Sequence, residues 1–274
     1  MLTPYTSTLS TIAHAFRVLT VKRAFLLCLF MVATLVPIQA QQQGSWQAFP
    51  AYYDVTRIVE GGGRVWVLAS GNVMSYDVNT GESTSYTKGS PLSDANIADI
   101  NYNATVRALL VLYSNGNIDI LHTDGSVVNV SDYYNKAMTE DKTVTNIVMA
   151  GRHAYLTTMF GIIKLNMARG EIDDTYNMGT QVNDVLVEGN TLFAATVKGL
   201  YRGNINTNLM QPSAWTQLNT TPWMMVARLK SQLYAASDTY LCTINEANGS
   251  SAVVWTPHMK KVQKTADRLL FYAY

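Results

Sequence analysis

The chain has 274 residues with 20 lysines and arginines, 19 aspartates and glutamates, and two cysteines, for a formal net charge of +1. No basic field is available to hold a phosphate backbone, which supplies most nucleic-acid affinity, so that class of partner is excluded. The cysteines, Cys28 and Cys242, fall on either side of the first boundary in the chain, so no disulfide framework is expected.

That boundary closes the leader. Lys22 and Arg23 precede an apolar run from Ala24 to Val36, then Pro37 and Ile38-Gln39-Ala40. This order of basic, apolar and small residues reads as a secretory signal peptide over 1–40, cleaved after Ala40. The run is shorter than the roughly 20 apolar residues that cross a bilayer, so no membrane span is expected in the mature chain. Loss of Arg17, Lys22 and Arg23 with the leader takes the 20 basic residues to 17 against 19 acidic, a balance of −2. The uncharged stretch before Lys22 places the expected true start downstream of Met1.

From residue 41 onward one pattern recurs six times. Two apolar residues three apart are followed, about seven residues on, by an apolar or aromatic pair and often a glycine. It runs Val55/Ile58 with Val65-Trp66, Ile97/Ile100 with Leu109-Leu110, and Val144/Ile147 with Ala154-Tyr155. It continues as Val182/Val185 with Leu192-Phe193, Trp223/Val226 with Leu233-Tyr234, and Met259/Val262 with Leu269-Leu270. Segments between are short and rich in Val, Ile, Tyr and Thr, which is strand chemistry. In the first repeat the expected strands are Val55–Glu60, Arg64–Ser70, Val73–Val78 and Ser83–Thr87. They are joined by Gly61-Gly62-Gly63, Gly71-Asn72 and Asn79-Thr80-Gly81, residues that tolerate the positive φ of tight hairpins. Asp124-Gly125 and Asn248-Gly249 occupy the third connection of later repeats.

Four antiparallel strands every 40 or so residues define a β-propeller blade. The expected fold is therefore all-β, an incomplete propeller of about five and a half four-stranded blades over 41–274. A β-sandwich would share the strand lengths but not the phase of the aromatic and glycine positions. A leucine-rich solenoid has a repeat about half as long. Trp46, Trp215 and Trp255 each stand shortly before a repeat begins, where an outermost strand belongs, and their recurrence predicts packing in the core. Trp46 would then bring an N-terminal strand to another blade and cover an open edge. Because the sixth repeat holds only two strands, the chain is expected to be part of a longer protein.

The phrase Tyr86-Thr87-Lys88-Gly89-Ser90-Pro91-Leu92-Ser93-Asp94, followed by Ile97 and Ile100, resembles the linkers of two-component-regulator propellers of Bacteroidetes. Gly44-Ser45-Trp46, Ser114 to Asp119, Lys142 to Ile147, Ala154 to Ile163 and Glu171 to Tyr176 are similar to the N-terminal propeller of the PorZ family. The similarity runs from about Gln42 to at least Arg202. It implies a component of the type IX secretion system at the cell surface, working with PorU-, PorV- and PorQ-like proteins to attach cargo to an anionic lipopolysaccharide. It also implies a second propeller and a C-terminal domain beyond this chain. Two other classes stay open: the ligand-sensing propeller of a hybrid two-component sensor, and a glycan-active propeller enzyme.

Candidate chemistry is sparse. His122, His153 and His258 stand alone, without a second ligand at metal spacing. Asp173-Asp174 is a pair of adjacent aspartates, but neighbours on a strand point to opposite faces and make a poor catalytic dyad. Asp119 to Asp124 lacks the glycine and terminal glutamate of a calcium loop. No nucleophile motif is present, and no catalytic residue, metal ligand or cofactor is expected. The candidate contacts for a glycan or protein are therefore residues outside the repeat phase: Tyr52-Tyr53 and Tyr133-Tyr134 in connecting loops, and the basic run Lys260-Lys261 with Lys264.

Overall fold

The computed structural model describes residues 50–256, 258–264 and 268–273, with the side chains of 259–263 and 273 excepted. Contacts divide the chain after Ala48, and the described residues all belong to the unit from Phe49 to Tyr274. The leader and Trp46 lie outside the described residues.

Each repeat forms its own antiparallel sheet in strict sequence order. The first contains β1 (Val55–Gly61), β2 (Arg64–Ala69), β3 (Asn72–Asp77) and β4 (Ser83–Lys88), with the two-residue β5 (Pro91–Leu92) running parallel beside β4. The second holds β6 (Ile97–Asn103), β7 (Ala108–Tyr113), β8 (Ile118–His122) and β9 (Val127–Val130). The third holds β10 (Val144–Ala150), β11 (His153–Thr158), β12 (Gly161–Asn166) and β13 (Glu171–Asn177). In the fourth lie β14 (Val182–Glu188), β15 (Thr191–Thr196), β16 (Gly199–Asn204) and β17 (Trp215–Asn219). The fifth has β18 (Met225–Leu229), β19 (Gln232–Ala236), β20 (Leu241–Ile244) and β21 (Ser251–Trp255), and the sixth pairs β22 (Met259–Lys264) with β23 (Leu269–Ala273).

The innermost strands β1, β6, β10, β14 and β18 are successive neighbours, so the sheets stand as the blades of an incomplete β-propeller. Hydrophobic clusters fill the gaps between blades one and two, two and three, three and four, and four and five. A further cluster of Met225, Ala227, Ala236 and Leu241 receives Leu269 and Phe271 from the sixth sheet. This placement explains the sequence pattern. A second strand is covered on both faces, so β7 reads Ala-Leu-Leu-Val-Leu-Tyr and is buried throughout. A fourth strand has one flank in solvent, so β21 is exposed along its length.

The turns follow the same logic with one shift. Gly62 and Gly63 both adopt positive φ, at 66° and 75°, and close a two-residue hairpin between Gly61 and Arg64. The next hairpin turns at Ser70-Gly71 rather than Gly71-Asn72, because Asn72 already pairs with Ala69. In five of the first strands a β-bulge falls within the first three residues, and the residue just after it is polar: Arg57, Asp99, Asn146, Asp184 and Lys261.

The tryptophans separate into two roles. Trp66 and Trp223 are buried, whereas Trp255 is 47 % exposed and only leans edge-on against Phe271. The expectation that Trp255 packs in the core is thus corrected. Trp215 occupies the matching strand and is half-buried, because the insertion before it supplies Leu209, whose carbonyl accepts the indole N–H at 3.0 Å.

Candidate functional site

Polar residues after the bulges build a network across the blades at the innermost strands. Arg57 grips Asp99 of the next blade through two hydrogen bonds, from Nε at 2.7 Å and from a terminal nitrogen. Asn101 donates to the Ile147 carbonyl of the third blade at 2.8 Å. Asp184 is the hub. Its carboxylate accepts from Asn146 Nδ2 at 3.1 Å in blade three and from the Val226 amide at 2.9 Å in blade five. Lys264 of the sixth sheet reaches both Asp184 oxygens, at 2.8 and 2.7 Å, and also the Val185 and Val226 carbonyls. Burial pushes the Asp184 carboxyl above its ordinary range, and the Lys264 ammonium opposes that. The sequence pattern places Lys264 in an exposed basic run; the fold makes it a structural cation instead.

The other candidates disperse. Tyr53 is 85 % exposed, and Tyr52 beside it is half-buried with its hydroxyl 3.5 Å from the Val73 carbonyl oxygen. Tyr134 is 48 % exposed, but Tyr133 is buried at 2 %, which removes it as a contact residue. The physical cause is a four-residue helix, Asp132–Asn135, where the sequence pattern predicts a loop. It turns the Tyr133 ring onto Gly116, and the hydroxyl donates to the Lys142 carbonyl at 2.8 Å. Burial, with Asp141 nearby, pushes that phenol up to about 12. Lys142 Nζ in turn donates to the Tyr133 and Tyr134 carbonyls at the end of the helix. Lys260 and Lys261 lie on β22 rather than in a loop, and their side chains are outside the described residues.

Asp173 and Asp174 do not follow the simple alternation expected of a strand, because the pairing shifts between Lys164 and Leu165 and leaves Asp173 unpaired as a bulge. Their carboxylates are committed to separate partners. Asp173 takes His153 Nε2 at 2.9 Å and Arg169, while Asp174 takes Lys164 Nζ at 3.3 Å and the Tyr176 hydroxyl at 3.2 Å. His153 is therefore not solitary, as its sequence context implied. Although burial opposes it, the His153 and Arg169 contacts hold Asp173 below the usual carboxylate range. Asp119, fully buried, anchors the linker between blades one and two by accepting the Ser93 amide at 2.7 Å and the Tyr113 hydroxyl. Among the described residues no three His, Cys, Asp or Glu side chains converge on a metal position, and no helix is long and apolar enough to cross a membrane.

Surface depressions lie among the turns. One of about 450 Å³ is bordered by Arg107, His122 and Asp124 at the turns of blade two. Another, of about 390 Å³, lies by Arg202 and Thr207 on blade four. A third, about 280 Å³, opens between blades four and five, at the end of the blades where the linkers enter. It is lined by Asn183, Val197, Pro222, Trp223, Met224, Ser237 and Asp238. Sequence reading missed it because its residues come from four separate segments: the start of β14, two turns and one linker.

Known proteins share this geometry. The family model "TSS9, PorZ, N-terminal beta-propeller domain" matches residues 65–216, more than half of the chain. Among solved structures, the chain superposes on PorZ, described as an essential bacterial surface component of the type IX secretion system of Porphyromonas gingivalis. The TM-score is 0.77 at 26 % identity, over 84 % of this chain and 32 % of that one. The chain thus spans about a third of that protein's length. The extracellular domain of a hybrid two-component system from B. thetaiotaomicron shares the fold, with a TM-score of 0.58 at 14 % identity over 83 % of this chain and 34 % of that one. A computationally designed protein, Ika8, does so as well, with a TM-score of 0.57 at 10 % identity over 80 % of this chain and 68 % of that one. No curated protein matches the chain. The blade order, the inter-blade cores and the family match together establish that this chain belongs to the PorZ N-terminal β-propeller family.

Proposed function

We propose that the chain is an exported, non-catalytic interaction scaffold of the type IX secretion system, acting at the bacterial surface in cargo sorting and attachment to anionic lipopolysaccharide. The observation that carries this is the family match over residues 65–216. It is supported by the use of the polar residues. Asp99, Asp119 and Asp184 are committed to partners that tie blades or linkers together, and Asp173 and Asp174 to partners within blade three. A rigid ring segment of this kind supplies geometry, and loops at the ends of its blades select the partner. Its partners are PorU-, PorV- and PorQ-like surface proteins. Export uses the leader over 1–40.

The resemblance to a sensor extracellular domain favours one second reading, a ligand-sensing propeller. Chemical cross-linking on intact cells followed by affinity purification separates the two. Recovery of PorU-, PorV- and PorQ-like proteins is expected. Recovery of an inner-membrane histidine kinase in their place would defeat the scaffold reading.

A further inference from the structure

We propose that the depression between blades four and five docks a polypeptide segment presenting a bulky apolar side chain next to a lysine or arginine. The proposal rests on the scaffold reading and names the surface that such a scaffold would use.

Its volume, about 280 Å³, lies below the range of about 300–1,000 Å³ typical of small-molecule pockets and suits a single large side chain. Apolar atoms surround the mouth: Val197 and Met224 line it at 42 % and 38 % exposure, and Tyr240, 42 % exposed, stands in the same turn as Ser237. The polar lining is already in use. Asn183 donates to the Trp223 carbonyl at 2.8 Å and accepts from Gln181 at 2.8 Å. Ser237 Oγ accepts the amides of Thr239 and Tyr240 at 3.1 and 3.0 Å. Trp223 is buried and offers no flat ring on which a sugar could stack. Few groups are left to receive a glycan's hydroxyls, and this favours a polypeptide.

Asp238 supplies the charge. The same turn in blades three and four also begins with a hydroxyl that accepts backbone amides, Thr158 from Gly161 and Thr196 from Lys198, each at 3.0 Å. The next residue there is apolar, Met159 or Val197, whereas blade five has Asp238. The turn makes little demand on this carboxylate, which accepts the Thr239 hydroxyl at 2.9 Å through Oδ1. It is exposed and has no cation partner among the described residues. An unpaired carboxylate beside an apolar mouth selects a cation beside an apolar anchor.

The test is a titration of the isotope-labelled chain with two probes, acetyl-Gly-Phe-Arg-Gly-amide and acetyl-Gly-Phe-Glu-Gly-amide, followed by amide NMR shifts. The arginine probe is expected to move the amides of Val197, Met224 and Asp238 saturably and to bind about fivefold more tightly than the glutamate probe, the scale of an exposed ion pair. Asp238→Asn should abolish that preference, and Met224→Ala should weaken both probes. Equal affinity of the probes in the wild-type chain, shifts confined to other surfaces, or the same amides answering only to an anionic polysaccharide would overturn the proposal. If the probes fail while deletion of the gene still strips cargo from the cell surface, the pocket is wrong and the scaffold stands. If the probes bind while deletion leaves cargo in place, the pocket stands and the scaffold reading falls.

Discussion

Asp184 and Lys264 join residues 80 positions apart, and through them the sixth sheet is tied to blades three, four and five. Removing one member of a buried pair leaves the other charge uncompensated, a loss of about 3–5 kcal/mol. Lys264→Met should therefore lower unfolding stability by about 3 kcal/mol in urea titration, and a change below about 1 kcal/mol would show that the pair is not buried as described. Half of this arrangement was readable in advance. A polar residue sits two places after the first apolar residue of five repeats, at Arg57, Asp99, Asn146, Asp184 and Lys261, and each follows a bulge in its strand. Lys264 as partner was not readable, since that phase falls on Lys261 and nothing local singles out Lys264. Acid should act on smaller devices. Asp77 is held below the usual range by the Asn79 and Thr80 amides, Asp94 by the Ala95 amide and Asn115, and Asp124 by Ser126. Thr143 does the same for Asp141. Their folded values lie below the unfolded value of about 4, so their contribution is present above that pH and is lost as pH falls through the folded values. The melting temperature should drop as pH is taken from about 4 toward 2 by scanning fluorimetry, and a rise would contradict the sign.

At the scale of elements, strand positions in the first repeat were legible to within a residue or so, because apolar phase and turn chemistry agree there. The errors come from contacts that phase does not encode. The helix Asp132–Asn135 was missed because four residues carry no helical period, and with it the burial of Tyr133. Trp255 shares its phase with Trp215 but lacks the insertion that covers the latter. The repeated glycine after the second strand has a sharper cause than turn preference. A Cβ at Gly161 would lie 1.9 Å from the Tyr176 carbonyl oxygen, and at Gly199 it would lie 2.0 Å from that of Asn219. Backbone cannot yield there without breaking the pairing of third and fourth strands. Gly161→Ala is expected to destabilise by about 2–3 kcal/mol in chemical denaturation, toward the upper end of single-substitution effects. A neutral result would show that the sheet relaxes freely.

For the whole molecule, the blades are not equivalent. Ile58 is 58 % exposed on the first strand of blade one, while its repeat equivalents Ile100, Ile147, Val185 and Val226 are buried between blades. Ile100→Ala should cost about 2–5 kcal/mol, whereas Ile58→Ala should stay within about 0.5 kcal/mol. Comparable losses at both positions would mean that the outer face of blade one is covered in solution. The same asymmetry bears on function. Under the scaffold proposal, repeated residues serve blade geometry and recognition falls to turns such as Ser237 to Tyr240 that depart from the repeat. The most direct measurement is the location of cargo proteins in cells from which the gene has been deleted, read by surface labelling and periplasmic fractionation. The scaffold predicts cargo lost from the surface and accumulating in the periplasm, with recovery on re-expression. Cargo attached to the surface at wild-type levels in the deletion strain would contradict it.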